Sequence, residues 1–381
     1  MGLLRRARTT TTFSYTESYL ARPGAYAIAP ALSLYPGAQP LHDPNPLSDC
    51  APDTWGRKVL LRAAGRRLDE TSLLLGVNDY SRQGALRFWV DGVAQAAGTG
   101  VPVEAELTEI LKVADKVDRG VADVPERDVR RLFHATGSLG GARPKANVRI
   151  GHQLWLAKFP RAQGDPWNIM AWEAALLDVM GRIGIECPPH QSRILTIGGE
   201  RRTVLMLRRF DRTDAGVRIP YISAMTAVAA RDGHGGDWLD LADWSRGHGA
   251  DTEQMWRRAT FGMLIGNRDN HLRNHGFLRR RRAWQLAPVF DVNPTPLGEG
   301  NAAQLTLSGH SEPDLAAFLD REVLENFDVS PDAAYRWLEG VRRHLPRAME
   351  RASAHGADAA SLGFMRTRWD AADAALADAV S

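Results

Sequence analysis

The sequence predicts an α+β fold with two lobes, in which a β-rich N-terminal subdomain comes first and a large all-helical lobe comes last. Residues 1–97 contain short apolar runs separated by Pro and Gly, which are typical of strands and turns. Residues 125–220 combine short strand patterns with two helical patterns, and 221–381 is mostly helical. We therefore expect a bilobal domain with a cleft where its β-rich and helical parts meet.

Length and composition agree with a large globular protein. The chain has 381 residues, of which 44% are hydrophobic and 24% are charged, so it can bury a sizeable core. Its formal net charge is only +3, and we interpret the basic clusters RRAR, RRFDR and RRRR as solvated surface rather than nucleic-acid contacts. Cys50 and Cys187 are expected to be reduced thiols of a cytoplasmic protein. No apolar run approaches the ~18 residues of a membrane span.

Residues 1–97 are expected to form strands joined by long turns. The runs FSYTESYL and YAIAPALSLYP predict strands, GALRFWVDG predicts a hairpin, and a short helix is expected near 55–64. Residues 98–124 are expected to hold a linker and the helix ELTEILKVADKV. A second helix, PERDVRRLFHA, opens the next part, with Pro125 in its first turn.

Residues 125–220 are predicted to hold two hairpins and a helix. ANVRI and QLWLAKF flank a Gly-His turn, and RILTIGG and RTVLMLRRF form the second hairpin. A helix over 167–182 lies between the hairpins. After residue 220 the pattern is helical, apart from short strands near 276–290.

The stretch GNRDNHLRNHGFL, at 266–278, is dense in polar residues although it lies between apolar segments. Asp269 and Asn274 stand five residues apart, which is the interval of Asp and Asn in the kinase catalytic loop HRDxxxxN. This spacing suits a turn that presents a carboxylate to a hydroxyl group and an amide oxygen to Mg²⁺. His271 and His275 are four residues apart, but Leu272 stands where a zinc protease has its glutamate, so we discount zinc.

Three further segments fit the same chemistry. GSLGGARPK, at 137–145, has the glycines that let backbone N–H groups approach a phosphate, although a plain turn is the commoner explanation for it alone. Lys158 ends a strand pattern, and Glu173 lies among apolar residues of the next helix, where a charge needs a partner. Asp291 follows an apolar strand 17 residues after Asn274, as the second metal-binding Asp does in kinases. Together these segments occur in kinase order.

This set of motifs resembles the HipA family of serine/threonine kinases, the toxins of bacterial toxin–antitoxin modules. The resemblance rests on GSLGGARPK, LWLAKFP, LRRFDR, GNRDNHLRNHGFL and LAPVFDVNPTP, and it covers most of the chain. It implies a protein-kinase-like fold that uses ATP and Mg²⁺. Residues 1–97 would be the N-terminal subdomain, 98–124 a linker and helix, 125–220 the part with the ATP-binding loop and hinge, and 221–381 the helical lobe with the catalytic loop.

The resemblance also implies roles for individual residues. Asp269 would accept the proton of the substrate hydroxyl, and Asn274 and Asp291 would hold Mg²⁺. Lys158 would position the α- and β-phosphates with Glu173 as its partner. The other expected ATP contacts are in the phosphate loop (Ser138, Gly140, Gly141, Ala142, Arg143 and Lys145), in the hinge (Arg208, Arg209 and Phe210) and at His271. Ser138 matches the loop serine at which family members inactivate themselves by autophosphorylation.

The expected partners follow from the same resemblance. A small antitoxin with a helix-turn-helix domain would hold the protein and bring it to operator DNA, and the phosphorylated target would be an aminoacyl-tRNA synthetase. Two alternatives remain open. A small-molecule phosphotransferase uses the same Asp and Asn chemistry, but the N-terminal subdomain argues against it. An inactive kinase-like co-repressor is the other alternative, and the intact motif residues argue against it.

Overall fold

The computed structural model describes residues 1–7, 10–41, 46–97, 100–137, 141–231 and 233–380. In the N-terminal part, an antiparallel sheet has the order β1-β2-β3, with α1 between β2 and β3, and α2, α3 and a short hairpin follow it. The hydroxyl of Thr16 accepts a hydrogen bond from the Tyr19 backbone N–H at 3.3 Å, so the chain turns from strand to helix there. The elements are β1 (Gly2–Ala7), β2 (Thr10–Tyr15), α1 (Glu17–Leu20), β3 (Gln39–Pro40), α2 (Thr54–Ala64), α3 (Glu70–Gly76), β4 (Trp89–Val90) and β5 (Val93–Ala94).

The N-terminal part confirms some expectations and corrects others. The helix expected near 55–64 is confirmed as α2, and GALRFWVDG contains β4 and the turn of a hairpin whose second strand, β5, follows directly after it. The strand expected in YAIAPALSLYP is wrong, because residues 26–36, all of which are described, form turns and bends. Pro30 and Pro36 in this run lack the N–H group that a strand ladder needs. FSYTESYL is a strand only as far as Tyr15.

A four-stranded antiparallel sheet forms the middle of the molecule, with the order β6-β7-β9-β8. Its two hairpins and the helix between them were predicted from the sequence, and all three are confirmed. One face of the sheet packs against α2, α4 and α5, and the other face packs against the buried α6. The elements are α4 (Leu107–Asp118), α5 (Glu126–Ala135), β6 (Lys145–Ile150), β7 (Gln153–Lys158), α6 (Ile169–Arg182), β8 (His190–Ile197) and β9 (Glu200–Arg208).

The C-terminal part is mainly helical but contains strands, so the expectation of an all-helical lobe is wrong. The run 276–286, which is buried at 276–278 and exposed at its turn, folds as a hairpin beside β10, and β11 pairs with β14 in parallel. The elements are β10 (Tyr221–Ser223), α7 (Ala224–Ala227), β11 (Gly236–Asp237), α8 (Trp238–His248), α9 (Thr252–Leu264), β12 (Gly276–Arg280), β13 (Ala283–Leu286), β14 (Leu305–Thr306), α10 (Leu315–Leu319), α11 (Arg321–Asn326), α12 (Pro331–His344), α13 (Arg347–Ala354) and α14 (Ala359–Ala379).

The largest core joins α6 to the C-terminal helices and to the inner face of the sheet. It fixes α6, which carries Glu173, and the end of α9, after which the loop with Asp269 and Asn274 begins. Cys50 and Cys187 are both free thiols. Among the helices of the described ranges, none has the length and apolar character needed to cross a membrane.

Candidate active site

A cavity of about 650 Å³ lies where the sheet, the loop after α9 and the N-terminal part meet. Segments from all three regions contribute polar groups to it. Its lining includes Asp53, Thr54 and Arg57 next to α2, Gly141 and Ala142 before β6, Lys158 of β7, the stretch 207–210, Asp269, His271 and Arg273 after α9, and Phe290 and Asp291.

A buried cluster of three charged groups stands at one wall of this cavity. The Lys158 ammonium is 2.7 Å and 2.9 Å from the two carboxylate oxygens of Glu173, and it also contacts the Asp291 carboxylate directly. The predicted contact between Lys158 and Glu173 is therefore present. Glu173 is only 1% exposed, so its charge depends on these partners. Its carboxylate also accepts the Asp291 backbone N–H at 3.0 Å.

The cluster holds two carboxylates against one ammonium. Burial disfavours the charged form of Lys158, but the charges of Asp291 and Glu173 raise its pKa above the ordinary value. Burial also opposes ionisation of Asp291, yet Lys158 and Lys145 hold the pKa of Asp291 below its ordinary value. Burial raises the pKa of Glu173, although Lys158 acts against this. The excess of carboxylate makes this wall favourable for a cation.

The loop after α9 is shaped by its own polar side chains. Gly266 ends the helix with a φ of +64°, a conformation that glycine adopts without steric cost. The Asn274 side-chain amide donates to the Asp269 carbonyl at 2.7 Å, which closes the turn between the two residues. His275 is buried and lies 2.8 Å from the Asn270 side-chain oxygen. These two hydrogen bonds within the polar run shape the loop, and the Asp269 side chain stays exposed at the cavity.

Asp291 lines the cavity, whereas the buried Asn274 does not, and both side chains carry oxygen atoms of the kind that binds Mg²⁺. Carboxylate and amide oxygens are the donors that this ion prefers. Because the Asn274 amide nitrogen is engaged with Asp269, its side-chain oxygen is the atom left for a cation. Within the described residues, no group of three or more His, Cys, Asp or Glu side chains could hold a metal ion. A Mg²⁺ ion here would therefore depend on few protein ligands and on phosphate oxygens, as it does in many phosphotransferases.

The expected phosphate loop is described only in part, since Ser138 and Gly140 lie outside the described residues. Gly141 and Ala142 line the cavity. Arg143 is not in the cavity lining, and its guanidinium forms an ion pair with Asp165. The Lys145 ammonium is 2.7 Å from the Asp53 carboxylate.

The expected hinge lines the apolar end of the cavity. The backbone N–H groups of Arg208 and Arg209 donate to carbonyl groups of neighbouring segments, at 2.8 Å and 2.9 Å. The Arg209 side chain turns away into a buried ion pair with Asp211, and it also donates to the Ser81 carbonyl at 2.9 Å. The ring of Phe210 packs against Phe290, with centroids 5.6 Å apart. This segment thus presents an aromatic ring and its remaining backbone groups to the cavity.

Comparison with known families identifies the domain that holds most of this site. The model of the HipA-like C-terminal domain matches residues 137–349, which is more than half of the chain. The chain belongs to the HipA-like C-terminal domain family. Lys158, Glu173, Asp269, Asn274 and Asp291 all lie within the matched range.

Comparison with solved structures extends the likeness to the whole chain. HipA of Shewanella oneidensis MR-1, solved with HipB and its operator DNA, has a TM-score of 0.69 at 15% identity, over 99% of this chain and 95% of that one. At this identity the likeness shows the fold alone. The Helicobacter pylori proinflammatory kinase CtkA has a TM-score of 0.45 at 16% identity and covers 62% of this chain and 92% of its own. No curated protein matches the sequence.

Some cavity residues precede the HipA-like domain and were not predicted. Asp49 accepts the Ser223 backbone N–H at 2.7 Å, and its other oxygen lies 3.9 Å from the Arg273 guanidinium. Asp53 and Arg57 also line the cavity. An Asp just before a predicted helix is a capping signal, so the role of Asp53 in α2 could have been found. Its contact with Lys145 could not, because 92 residues separate the two.

Proposed function

We propose that this protein is an ATP- and Mg²⁺-dependent serine/threonine protein kinase that acts as the toxin of a toxin–antitoxin system. The observation that carries the proposal is the cluster of Lys158, Glu173 and Asp291 in the same cavity as Asp269. A lysine held by a helix glutamate, an acidic group beside it and a catalytic-loop Asp form the set that protein kinases use. Membership of the HipA-like family supports the toxin assignment.

In this proposal each residue acts by position and charge. Lys158, fixed by Glu173, binds the α- and β-phosphates, and Phe210 and Phe290 border the apolar end where the adenine enters. The exposed Asp269 carboxylate orients the substrate hydroxyl and accepts its proton. Asp291 and Asn274 hold Mg²⁺, which neutralises charge on the transferring phosphoryl group.

The binding of ATP also rearranges the cluster in this proposal. Lys158 now contacts both Glu173 and Asp291. If Asp291 bound Mg²⁺, Lys158 would turn from Asp291 to the phosphates while it stays paired with Glu173, and the ion would supply the positive charge that Asp291 loses.

The wider role rests on the family and on the fold. The Shewanella protein was solved with HipB and operator DNA, and we infer a helix-turn-helix antitoxin and operator DNA as the partners of this chain. An aminoacyl-tRNA synthetase as substrate and Ser138 as the site of autophosphorylation are part of the same proposal.

The test is intact-mass analysis after incubation with Mg²⁺ and ATP, carried out on the wild type and on Asp269→Asn. We expect the wild type to gain the mass of one phosphate, and peptide mapping to place that phosphate on Ser138. Asp269→Asn should lose about 10²-fold or more of this activity while it still binds ATP, because the substituted residue contacts the acceptor hydroxyl and not the nucleotide. Absence of both phosphate gain and ATP-dependent thermal stabilisation in the wild type would contradict the proposal.

A further inference from the structure

Two lysines stand side by side where the sheet borders the cavity: Lys158 lines the cavity, and the buried Lys145 contacts two lining residues, Gly141 and Asp53. Lys145 of β6 and Lys158 of β7 are directly opposite each other in the antiparallel pair, so both side chains leave the sheet on the same face. Directly opposed residues have Cβ atoms about 5 Å apart, and like charges in such positions repel each other. Each ammonium therefore needs a carboxylate of its own.

The carboxylate for Lys145 comes from the N-terminal part. Asp53 is 2.7 Å from the Lys145 ammonium, and both side chains are only 6% exposed. Asp53 itself lines the cavity. Burial raises the pKa of Asp53 and Lys145 opposes that shift, while the charge of Asp291 adds to it. Asp53 thus belongs to the same electrostatic cluster as Asp291.

The start of α2 also holds the backbone around Lys145. The indole N–H of Trp55 donates to the Lys145 carbonyl at 3.0 Å, and the Trp55 backbone N–H lies 3.4 Å from the Gly141 carbonyl. The Lys145 ammonium donates to that same Gly141 carbonyl at 3.1 Å. Helix α2, which lies outside the match to the HipA-like domain, thus fixes the position of Lys145 and of the end of the phosphate loop.

The geometry points to Asp53 as a positioning residue for phosphoryl transfer, which holds the Lys145 ammonium beside Lys158 as a second phosphate-binding cation. The N-terminal segment then completes the nucleotide site. This inference rests on the proposed kinase function. An ion pair that only stabilised the fold could lie anywhere in the molecule. The Asp53–Lys145 pair instead places the Lys145 ammonium directly across from Lys158, the lysine that binds the phosphates in the proposed function.

The experiment separates the charge of Asp53 from its capping role. Asp53 caps α2 by accepting the Gly56 backbone N–H at 2.6 Å, so Asp53→Asn keeps an acceptor for the cap and removes the charge. Asp53→Ser, which also retains a capping oxygen, is the second variant. Asp69 provides the matched control, because it caps α3 at Ser72 and pairs with Arg6 at 2.6 Å, but it is half exposed and lies outside the cavity lining.

The measurements are the dissociation constant for Mg²⁺-ATP, the single-turnover rate of phosphate transfer or release, and the melting temperature of the full chain. We expect Asp53→Asn to lower the rate about tenfold or more with a smaller change in ATP affinity, because a misplaced cation costs more in the transition state than in binding. In a Lys145→Met background the same substitution should cause no additional loss of rate. Asp69→Asn should retain the wild-type rate.

Two results would overturn the inference while the kinase proposal stands. One is an Asp53→Asn rate equal to that of Asp69→Asn, and the other is a full extra loss from Asp53→Asn in the Lys145→Met background. A wild type that neither binds Mg²⁺-ATP nor transfers phosphate would overturn both proposals together. The failure of this inference can therefore be told apart from the failure of the proposed function.

Discussion

Two lysine–carboxylate contacts lie next to each other at the border of the cavity, and they are built in different ways. Lys158 meets Glu173 only 15 residues later, within one strand and helix, whereas Lys145 meets Asp53 across 92 residues. Lys158 also has a second carboxylate, Asp291, whereas Asp53 is the carboxylate paired with Lys145. The local pair, Lys158–Glu173, together with Asp291 has one more carboxylate than ammonium and can therefore accept a further cation. The distant pair, Lys145–Asp53, joins one ammonium to one carboxylate and connects the N-terminal part of the chain to the site.

The largest predicted effect concerns the local pair. Lys158→Met should lower the rate of phosphoryl transfer by about 10²–10³-fold, since it removes a cation that stabilises the transferring group. Glu173→Gln should lower the rate as well, because the lysine loses the partner that orients it. Single-turnover rates with saturating Mg²⁺-ATP provide the measurement.

The control for this prediction is Lys112→Met, which removes an exposed lysine paired with Glu109 at 2.7 Å. It should leave the rate unchanged. If Lys145→Met reduced the rate more than Lys158→Met, the roles of the two lysines would have to be exchanged.

The contrast between the two pairs also explains how far the sequence could predict the site. The Lys158–Glu173 contact and the turn from Asp269 to Asn274 depend on residues close in sequence, so strand and helix patterns together with motif spacing were sufficient. The Asp53–Lys145 contact depends on how α2 packs against the sheet. No local pattern contains that information.

The fold shows the same division. The hairpins of the central sheet and α6 were predicted because the paired apolar runs flank Gly turns, at 151 and 198–199, and a longer apolar run lies between them. YAIAPALSLYP was mistaken for a strand because its many apolar residues are suited to the core. Its prolines, however, lack the N–H groups that strand pairing needs. Arg209 lines the cavity, and its side chain pairs with the buried Asp211, a contact that a list of charged residues does not reveal.

A smaller effect is expected where the phosphate loop meets the distant pair. Gly141 has a φ of +112°, and a Cβ there would lie 3.0 Å from the Lys145 ammonium. Gly141→Ala should therefore destabilise the fold by about 1–3 kcal/mol and displace Lys145 from Asp53. The measurements are denaturant unfolding and the phosphoryl-transfer rate.

Gly198→Ala is the matched control for Gly141→Ala. Gly198 also has a positive φ, of +60°, but no described atom lies within 4 Å of a Cβ at that position. Gly198→Ala should thus cost stability without loss of rate. Equal rates for the two variants would mean that the position of Lys145 has no effect on catalysis.

The smallest effect concerns a third buried charge contact, on the same helix as Glu173 but away from the cavity lining. His190 has one ring nitrogen 3.0 Å from the Pro188 carbonyl and the other 3.1 Å from the Asp178 carboxylate. Both partners only accept hydrogen bonds, so both ring nitrogens donate and the ring is charged. Burial opposes that charge, but the hydrogen bond to Asp178 raises the pKa of His190 above its ordinary 6.5.

This contact should stabilise the fold in a pH-dependent way. Because the pKa of His190 is raised in the folded state, the stabilisation from its charge is complete below about pH 6.5. It is lost as the pH rises through the pKa that His190 has in the folded protein. We expect the difference in unfolding free energy between wild type and His190→Gln, about 1–2 kcal/mol at pH 6, to shrink at pH 9. The phosphoryl-transfer rate of His190→Gln should stay close to that of the wild type at both pH values. A large loss of rate would instead mean that the Lys158–Glu173 pair depends on how the whole of α6 is anchored. The pair would then depend on contacts outside the 15 residues that separate its members.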